Sequence, residues 1–243
     1  IQDLQFFGEF GGVNPSISDS STYTFLSANS MSETFEGNTE GCYLYSRNSS
    51  PSNIYLEEAC AAMEGTEAAN VFSSGMGAIT STILQLCKSG DHIISSRTVY
   101  GGTYAFLKNF TPQLGIETDF VDITSLDDIK RLIKPNTKII YCEVSSNPLL
   151  EIADIESISE IAKKNNLKLI VDNTFTPLSV SPAKNGADIV IHSLTKFING
   201  TSDTIAGVVC SNKEFIQSLR DVNDGAFMLM GATMDSLRAA SVL

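Results

Sequence analysis

Lys196 follows an apolar, β-branched run (Ile189, Val190, Ile191) and stands beside two hydroxyls, Ser193 and Thr195. Such a run reads as a buried strand, and in open α/β sheets ligands gather at the carboxyl ends of strands. A primary amine flanked by hydroxyls suits a ligand carrying both an aldehyde and a phosphate, with a Schiff base to the amine. Asp172 ends a second run, Leu169-Ile170-Val171. An acid there can hold a proton on a pyridine nitrogen and keep the ring electron-poor. Ser73-Ser74-Gly75-Met76-Gly77-Ala78 follows a third run and opens a helix, where converging backbone N–H groups and the helix dipole favour an anion. It is neither a Walker loop, since no Gly-Lys-Ser/Thr follows, nor a dinucleotide fingerprint, since Thr80 takes the third glycine position.

Three smaller features accompany these. Tyr45-Ser46-Arg47 could grip a phosphate with a phenol and a guanidinium fork. It lies in an irregular arm, from which donation to a neighbouring subunit is the natural arrangement. Tyr100, before Gly101 and Gly102, could lie flat on an aromatic ligand, and Asn147, before Pro148, could place an amide near a ring oxygen. Each feature alone has a plain structural alternative: a surface lysine or arginine, a tight turn, a capping aspartate, a loop former. His92 and His192 lie in apolar runs without a partner at ligand spacing and read as core residues. No Ser-His-Asp order or nucleophile elbow appears, which sets hydrolase triads aside.

The elements that must position these groups alternate along the chain. Strands are expected over 69–73, 92–96, 118–121, 138–144, 168–172, 188–192 and 205–210. Helices are expected from Ser50-Pro51 to Gly65, from Gly75 to about Lys88, over Leu126 to Ile133 and over 155–164. That alternation implies an α/β fold with a mostly parallel sheet covered on both faces. Residues 1–50, rich in Gly, Ser, Thr and Asn, read as an extended arm, and 51–243 as one large domain. The pattern from Thr233 to Leu243 stops without a cap, so a C-terminal domain is expected to be missing.

A net charge of −12 with only 16 Lys and Arg disfavours nucleic acid and acidic membranes as partners. The five cysteines are odd in number and lack Cys-x-x-Cys, so neither a disulfide framework nor a metal site is expected. No run approaches the roughly 20 apolar residues of a membrane span. A cytoplasmic protein is expected.

Taken together and in order, Tyr45-x-Arg47, Ser74-Gly75-Met76, Tyr100-Gly101, Asn147-Pro148, Asp172-Asn173-Thr174 and Ser193-x-Thr195-Lys196 resemble the Cys/Met-metabolism family of pyridoxal-phosphate enzymes, over nearly the whole chain. The methionine gamma-lyase branch is the most similar, through Gly8 to Asn14, Tyr43 to Arg47, Val121 to Thr124 and Leu178 to Lys184. The resemblance implies a fold-type I, aminotransferase-like large domain with a seven-stranded sheet. It implies pyridoxal 5'-phosphate bound to Lys196 as a Schiff base, with Lys196 as acid and base, Asp172 on the pyridine nitrogen and Tyr100 stacked on the ring. Ser74, Gly75, Met76, Ser193 and Thr195 would hold the phosphate, joined by Tyr45 and Arg47 of an adjacent subunit, with Asn147 beside the ring hydroxyl. A homotetramer of active dimers is implied, with the arginine for the substrate's α-carboxylate in a smaller C-terminal domain. The implied reaction is gamma-elimination on a sulfur amino acid, methionine giving 2-oxobutanoate, methanethiol and ammonia. Gly102 stands where several bacterial members of that branch carry cysteine, and the O-acetylhomoserine sulfhydrylase and cystathionine synthase or lyase reactions stay open beside it, as does a cofactor-binding but inactive core.

Overall fold

The computed structural model describes residues 13–25, 27–36 and 42–243. Its strands are β1 (Ala68–Phe72), β2 (His92–Ser96), β3 (Glu117–Val121), β4 (Thr137–Glu143), β5 (Lys168–Asp172), β6 (Ile189–His192) and β7 (Gly207–Ser211). They form one seven-stranded sheet in the order β1-β7-β6-β5-β4-β2-β3. The five strands from β2 to β6 run parallel, while β7 is antiparallel to both β1 and β6. The reversal has a local cause. A parallel return from β6 needs a crossover, usually a helix, and residues 193–206 supply only turns and irregular chain. β7 therefore begins at the rim where β2 to β6 end.

The helices are α1 (Ala28–Phe35), α2 (Pro51–Glu64), α3 (Gly75–Leu86), α4 (Gly101–Ala105), α5 (Leu126–Leu132), α6 (Ile155–Lys164), α7 (Lys213–Arg220), α8 (Ala226–Met230) and α9 (Ser236–Val242). A π-turn and a 3₁₀ turn continue α4 from Phe106 to Leu114. Caps fix the ends that matter for the site. Ser50 accepts from Asn53 N ahead of Pro51, and Gly65 closes α2 in the left-handed region at φ 73°. Ser74 accepts from Gly77 N at 2.9 Å and starts α3 at the tip of β1.

Alternation along each strand splits the core. Ile139, Tyr141, Ile170, Ile191 and Val209 face a layer holding Ile83, Ile216 and Phe227. Ile94, Ile140, Cys142, Leu169 and Val171 face the opposite layer with Ile129, Ile158 and Ile161. A third cluster sets Val71, Val190, Val208 and Cys210 against Leu56, Cys60 and Ala239 of α2 and α9. With each fully buried Val or Ile contributing roughly 1.5–3 kcal/mol, the central strands are the rigid base on which the loops rest.

The seven expected strands are all present, two with the expected ends and the others shifted by at most two residues, and the expected helices form. The arm differs from its reading as simply extended. Serines 27 and 30 cap each other reciprocally and start α1, a signal hidden in serine-rich sequence. Residues 1–12, which include most of the Gly8 to Asn14 stretch, lie outside the described residues. All five cysteines are unpaired, and burial pushes the thiols of Cys60 and Cys87 up to about 12, which keeps them protonated.

Candidate active site

Three adjacent tips make the floor. The register pairs Glu143 with Asp172 across β4 and β5, and Asp172 with Ile191 across β5 and β6. The carboxyl ends of these strands thus bring Glu143, Asp172 and the Ser193–Lys196 turn to one rim. Asp172 is buried; its Oδ1 accepts from Thr174 N at 2.9 Å and its Oδ2 from Tyr141 Oη at 3.4 Å. Burial raises its pKa, opposed by the bonds from Thr174, by the nearby His192 and by Tyr141. A cationic partner at that carboxylate would relieve the strain of burying its charge.

The Ser73–Gly77 loop closes against this floor. A Cβ on Gly75 would stand 2.8 Å from Ser193 Cβ and 3.2 Å from Ser193 Cα, so only glycine lets the start of α3 press onto the tip of β6. Gly207, at the start of β7, packs as closely on the Ser74 carbonyl and Gly75 Cα. The first N–H groups of a helix have no acceptor inside it; that of Gly77 is met by Ser74 Oγ, and Ser193 packs against Gly75 beside them. Ser193 is itself steadied by its N–H donating to Thr174 Oγ1 at 2.8 Å.

Lys196 sits in the turn that follows. Its side chain is exposed and makes no hydrogen bond or ion pair among the described residues. Thr195 is engaged differently from its expected role: its Oγ1 donates to Ala206 O at 3.1 Å and accepts from Ala206 N at 2.9 Å, tying the lysine turn to the entry of β7. Phe197 meets Phe175 edge to face at 5.7 Å and walls the turn with apolar surface.

Tyr100 and Asn147 occupy the loops after β2 and β4. The chain turns outward from β2 to β3 and then starts again on β2's other side with β4, so these loops flank the topological switch point. A Cβ on Gly102 would lie 2.6 Å from Tyr100 Cε1 and 3.0 Å from Met76 Sδ. The phenol ring therefore lies over a bare glycine, which Met76 at the start of α3 also approaches, with nearly half of Tyr100 exposed.

Two acids that the sequence reading passed over hold this layout. Glu143 is buried, and its carboxylate accepts from Tyr100 N at 2.6 Å through Oε1 and from Asn147 N at 3.0 Å through Oε2. Burial first, and then the charge of Asp172, push its pKa up to about 7. Glu64, at the end of α2, accepts through Oε1 from His192 Nε2 at 2.7 Å and from Asn173 Nδ2 at 3.0 Å. His192 is thus a core residue as expected, but one whose Nδ1 has no partner among the described residues and whose neighbour in the sheet is the site. Glu143 carries the signal that singled out Asp172, an acid closing an apolar strand. Glu64 carries none, being one acid in a helix.

Tyr45 and Arg47 are not part of this cluster in the single chain. Arg47 Nη1 donates to Met228 O at 2.6 Å, its guanidinium lies 5.5 Å from the Tyr45 ring centroid, and Tyr45 bridges to Thr22. A hollow of about 290 Å³ between Ser20, Ser21, Ser46 and residues 233–236 contains none of the groups named above.

This arrangement was compared with known proteins. Methionine gamma-lyase of Arabidopsis thaliana is 43% identical over 235 residues, covering 95% of this chain and 53% of its own. L-methionine gamma-lyase of Fusobacterium nucleatum subsp. polymorphum is 44% identical over 213 residues, 87% of this chain and 54% of its own. Cystathionine gamma-lyase of Bacillus subtilis is 44% identical over 191 residues, 78% of this chain and 50% of its own. The chain spans about half the length of the curated relatives it matches. A family model described as Cys/Met metabolism PLP-dependent enzyme matches residues 3–243. With a family model matching nearly its whole length and a mostly parallel seven-stranded sheet that carries an acid and a lysine at adjoining tips, the chain belongs to the Cys/Met-metabolism family of pyridoxal-phosphate-dependent enzymes.

Proposed function

We propose that this rim binds pyridoxal phosphate and that the protein uses it to eliminate the γ-substituent of a sulfur amino acid, with methionine giving 2-oxobutanoate, methanethiol and ammonia. The observation that carries the reading is the close packing of the cradle: Gly75 has no room for a side chain against Ser193, Asp172 is a buried acid on the adjoining strand tip, and Lys196 follows Ser193 by three residues with its side chain exposed. Methionine as substrate is supported by the names of the two lyases above; the Bacillus subtilis relative supports cystathionine as the second reading.

Pyridoxal phosphate, when bound, supplies an aldehyde for amines and a ring that takes up the electron pair left by a departing α-proton. The residues divide the remaining work. The start of α3 and Ser193 would bind the phosphate. Asp172 would hold a proton on the ring nitrogen, and Tyr141 and Thr174 keep its oxygens in place. Tyr100 would cover one face of the ring and exclude water from it. Lys196 would hold the aldehyde at rest and, once replaced by the substrate's amine, accept the α-proton at Nζ and return it further along the substrate.

The arm is proposed to act in a neighbouring subunit, with Tyr45 and Arg47 reaching its phosphate. The exposed apolar side chains of Leu149, Leu150, Phe175, Leu178 and Phe197 around the rim support such an assembly. The test is chemical. Borohydride reduction after adding pyridoxal phosphate should fix the cofactor's mass on the peptide holding Lys196, and Lys196→Ala should abolish it. Methanethiol released from methionine against sulfide uptake by O-acetylhomoserine separates the substrate readings. A cofactor fixed on another lysine would overturn the site.

A further inference from the structure

We propose that Glu143 is a positioning residue, a clamp whose two carboxylate oxygens each hold one of the loops that carry Tyr100 and Asn147. One oxygen takes the Tyr100 amide from 43 residues away, and the other takes the Asn147 amide four residues on. The two loops flank the switch point between β2 and β4, and they meet through Glu143 with no direct bond between Tyr100 and Asn147 among the described residues. An outer tie repeats the design in weaker form. Glu151 accepts from Thr98 Oγ1 at 2.7 Å and from Arg97 at 3.3 Å, and its carbonyl accepts from Ser146 N at 3.0 Å. That tie is solvent-exposed on the Arg97 side and contributes less than the buried one.

Chemistry explains why an acid occupies this place. Two N–H groups converge on one side chain, and only an ionised carboxylate offers two acceptors and no donor. Glutamine has one oxygen and would turn an N–H at the other loop, so a near-isosteric change breaks one half of the clamp. Glu143 neither touches the reacting atoms nor needs to; it fixes where the phenol ring and the amide stand. The groups facing it are Asp172 on β5 and the two neutral amides, while Arg97 on the β2 side turns to Asp122 and Glu151. The inference rests on the cofactor reading for its consequence, but the clamp is a property of the loops without any ligand.

The test compares the full chain with Glu143→Gln by hydrogen–deuterium exchange of peptides covering 97–105 and 144–150, with no cofactor added. Protection should drop roughly tenfold in at least one of the two, as expected for losing a charged hydrogen bond, and stay unchanged over 155–164. Pyridoxal phosphate affinity should weaken in parallel, and its visible circular dichroism should shrink. Should the variant not fold, the unmodified chain decides. Corrected for intrinsic rates, protection of at least one of the two peptides should fall as pH drops through about 7, where Glu143 gains a proton and one oxygen becomes a donor, while 155–164 stays unchanged. Unchanged exchange of both peptides, in the variant or across that pH range, would overturn the clamp. An unmodified chain that takes up no pyridoxal phosphate would instead count against the cofactor reading, leaving the exchange result to stand by itself.

Discussion

Glu64 and His192 meet 2.7 Å apart beneath the site, although 128 residues separate them. The same Glu64 oxygen holds Asn173, so one carboxylate at the end of α2 fixes the residue after Asp172 and the residue before Ser193. A carboxylate oxygen can only accept, so His192 Nε2 carries the hydrogen. Glu64→Ala strips two buried donors at once and should cost about 3 kcal/mol or more in urea denaturation. Glu64→Gln keeps one acceptor and should lose less, and a cycle with His192→Asn should show strong non-additivity.

Gly75 has no room for a side chain. Gly75→Ala should push the start of α3 away from Ser193, destabilise the chain by about 1–3 kcal/mol and weaken pyridoxal phosphate binding far more than Gly101→Ala, whose Cβ would meet nothing. Cofactor titration by absorbance measures both.

The role proposed for Asp172 sets function against stability. Because burial raises its pKa, Asp172→Asn should leave the cofactor-free chain as stable or more stable at pH 8, while turnover falls roughly a hundredfold or more. Equal losses of stability and turnover would contradict that division.

Glu143 gives stability a pH slope. Its folded pKa, about 7, stands above the ordinary 4.5, so over that interval the native chain keeps a proton that the unfolded chain has released. Stability should therefore be full below about 4.5 and decline as pH rises through 7, by roughly 3 kcal/mol at most from this group. Asp172, also raised, adds slope of the same sign. In Glu143→Gln the Glu143 share should vanish from urea midpoints measured across pH.

The proposed exchange of arms predicts complementation. Arg47→Ala and Lys196→Ala chains, each inactive alone, should regain roughly a quarter of normal activity when unfolded and refolded together, since half of the random dimers carry one intact site. No recovery in the mixed refold would place Arg47 in its own chain's site or in neither.

Much of this was legible in residue order. The strand tips announce themselves because β-branched runs stop abruptly at Asp172 and before Ser193, and Ser50-Pro51 and Gly65 bound α2 as their backbone preferences require. The supporting groups were not. Glu64, His192 and Tyr141 act through contacts made only once α2 and three strands are assembled, and local spacing encodes none of these. The helix in the arm escaped notice because serine favours caps and turns alike.

The direction of β7 has a consequence for how the molecule is made. β1 lies at the sheet's edge, and β7 is its strand neighbour, so residues 68–72 leave the ribosome long before residues 207–211 arrive to pair with them. Until then the Ser73–Gly77 loop has no Gly207 to lean on. Vitamin capture therefore waits until residues 207–211 have been made, and a nascent chain halted before residue 207 should expose an unpaired edge, a target for chaperones.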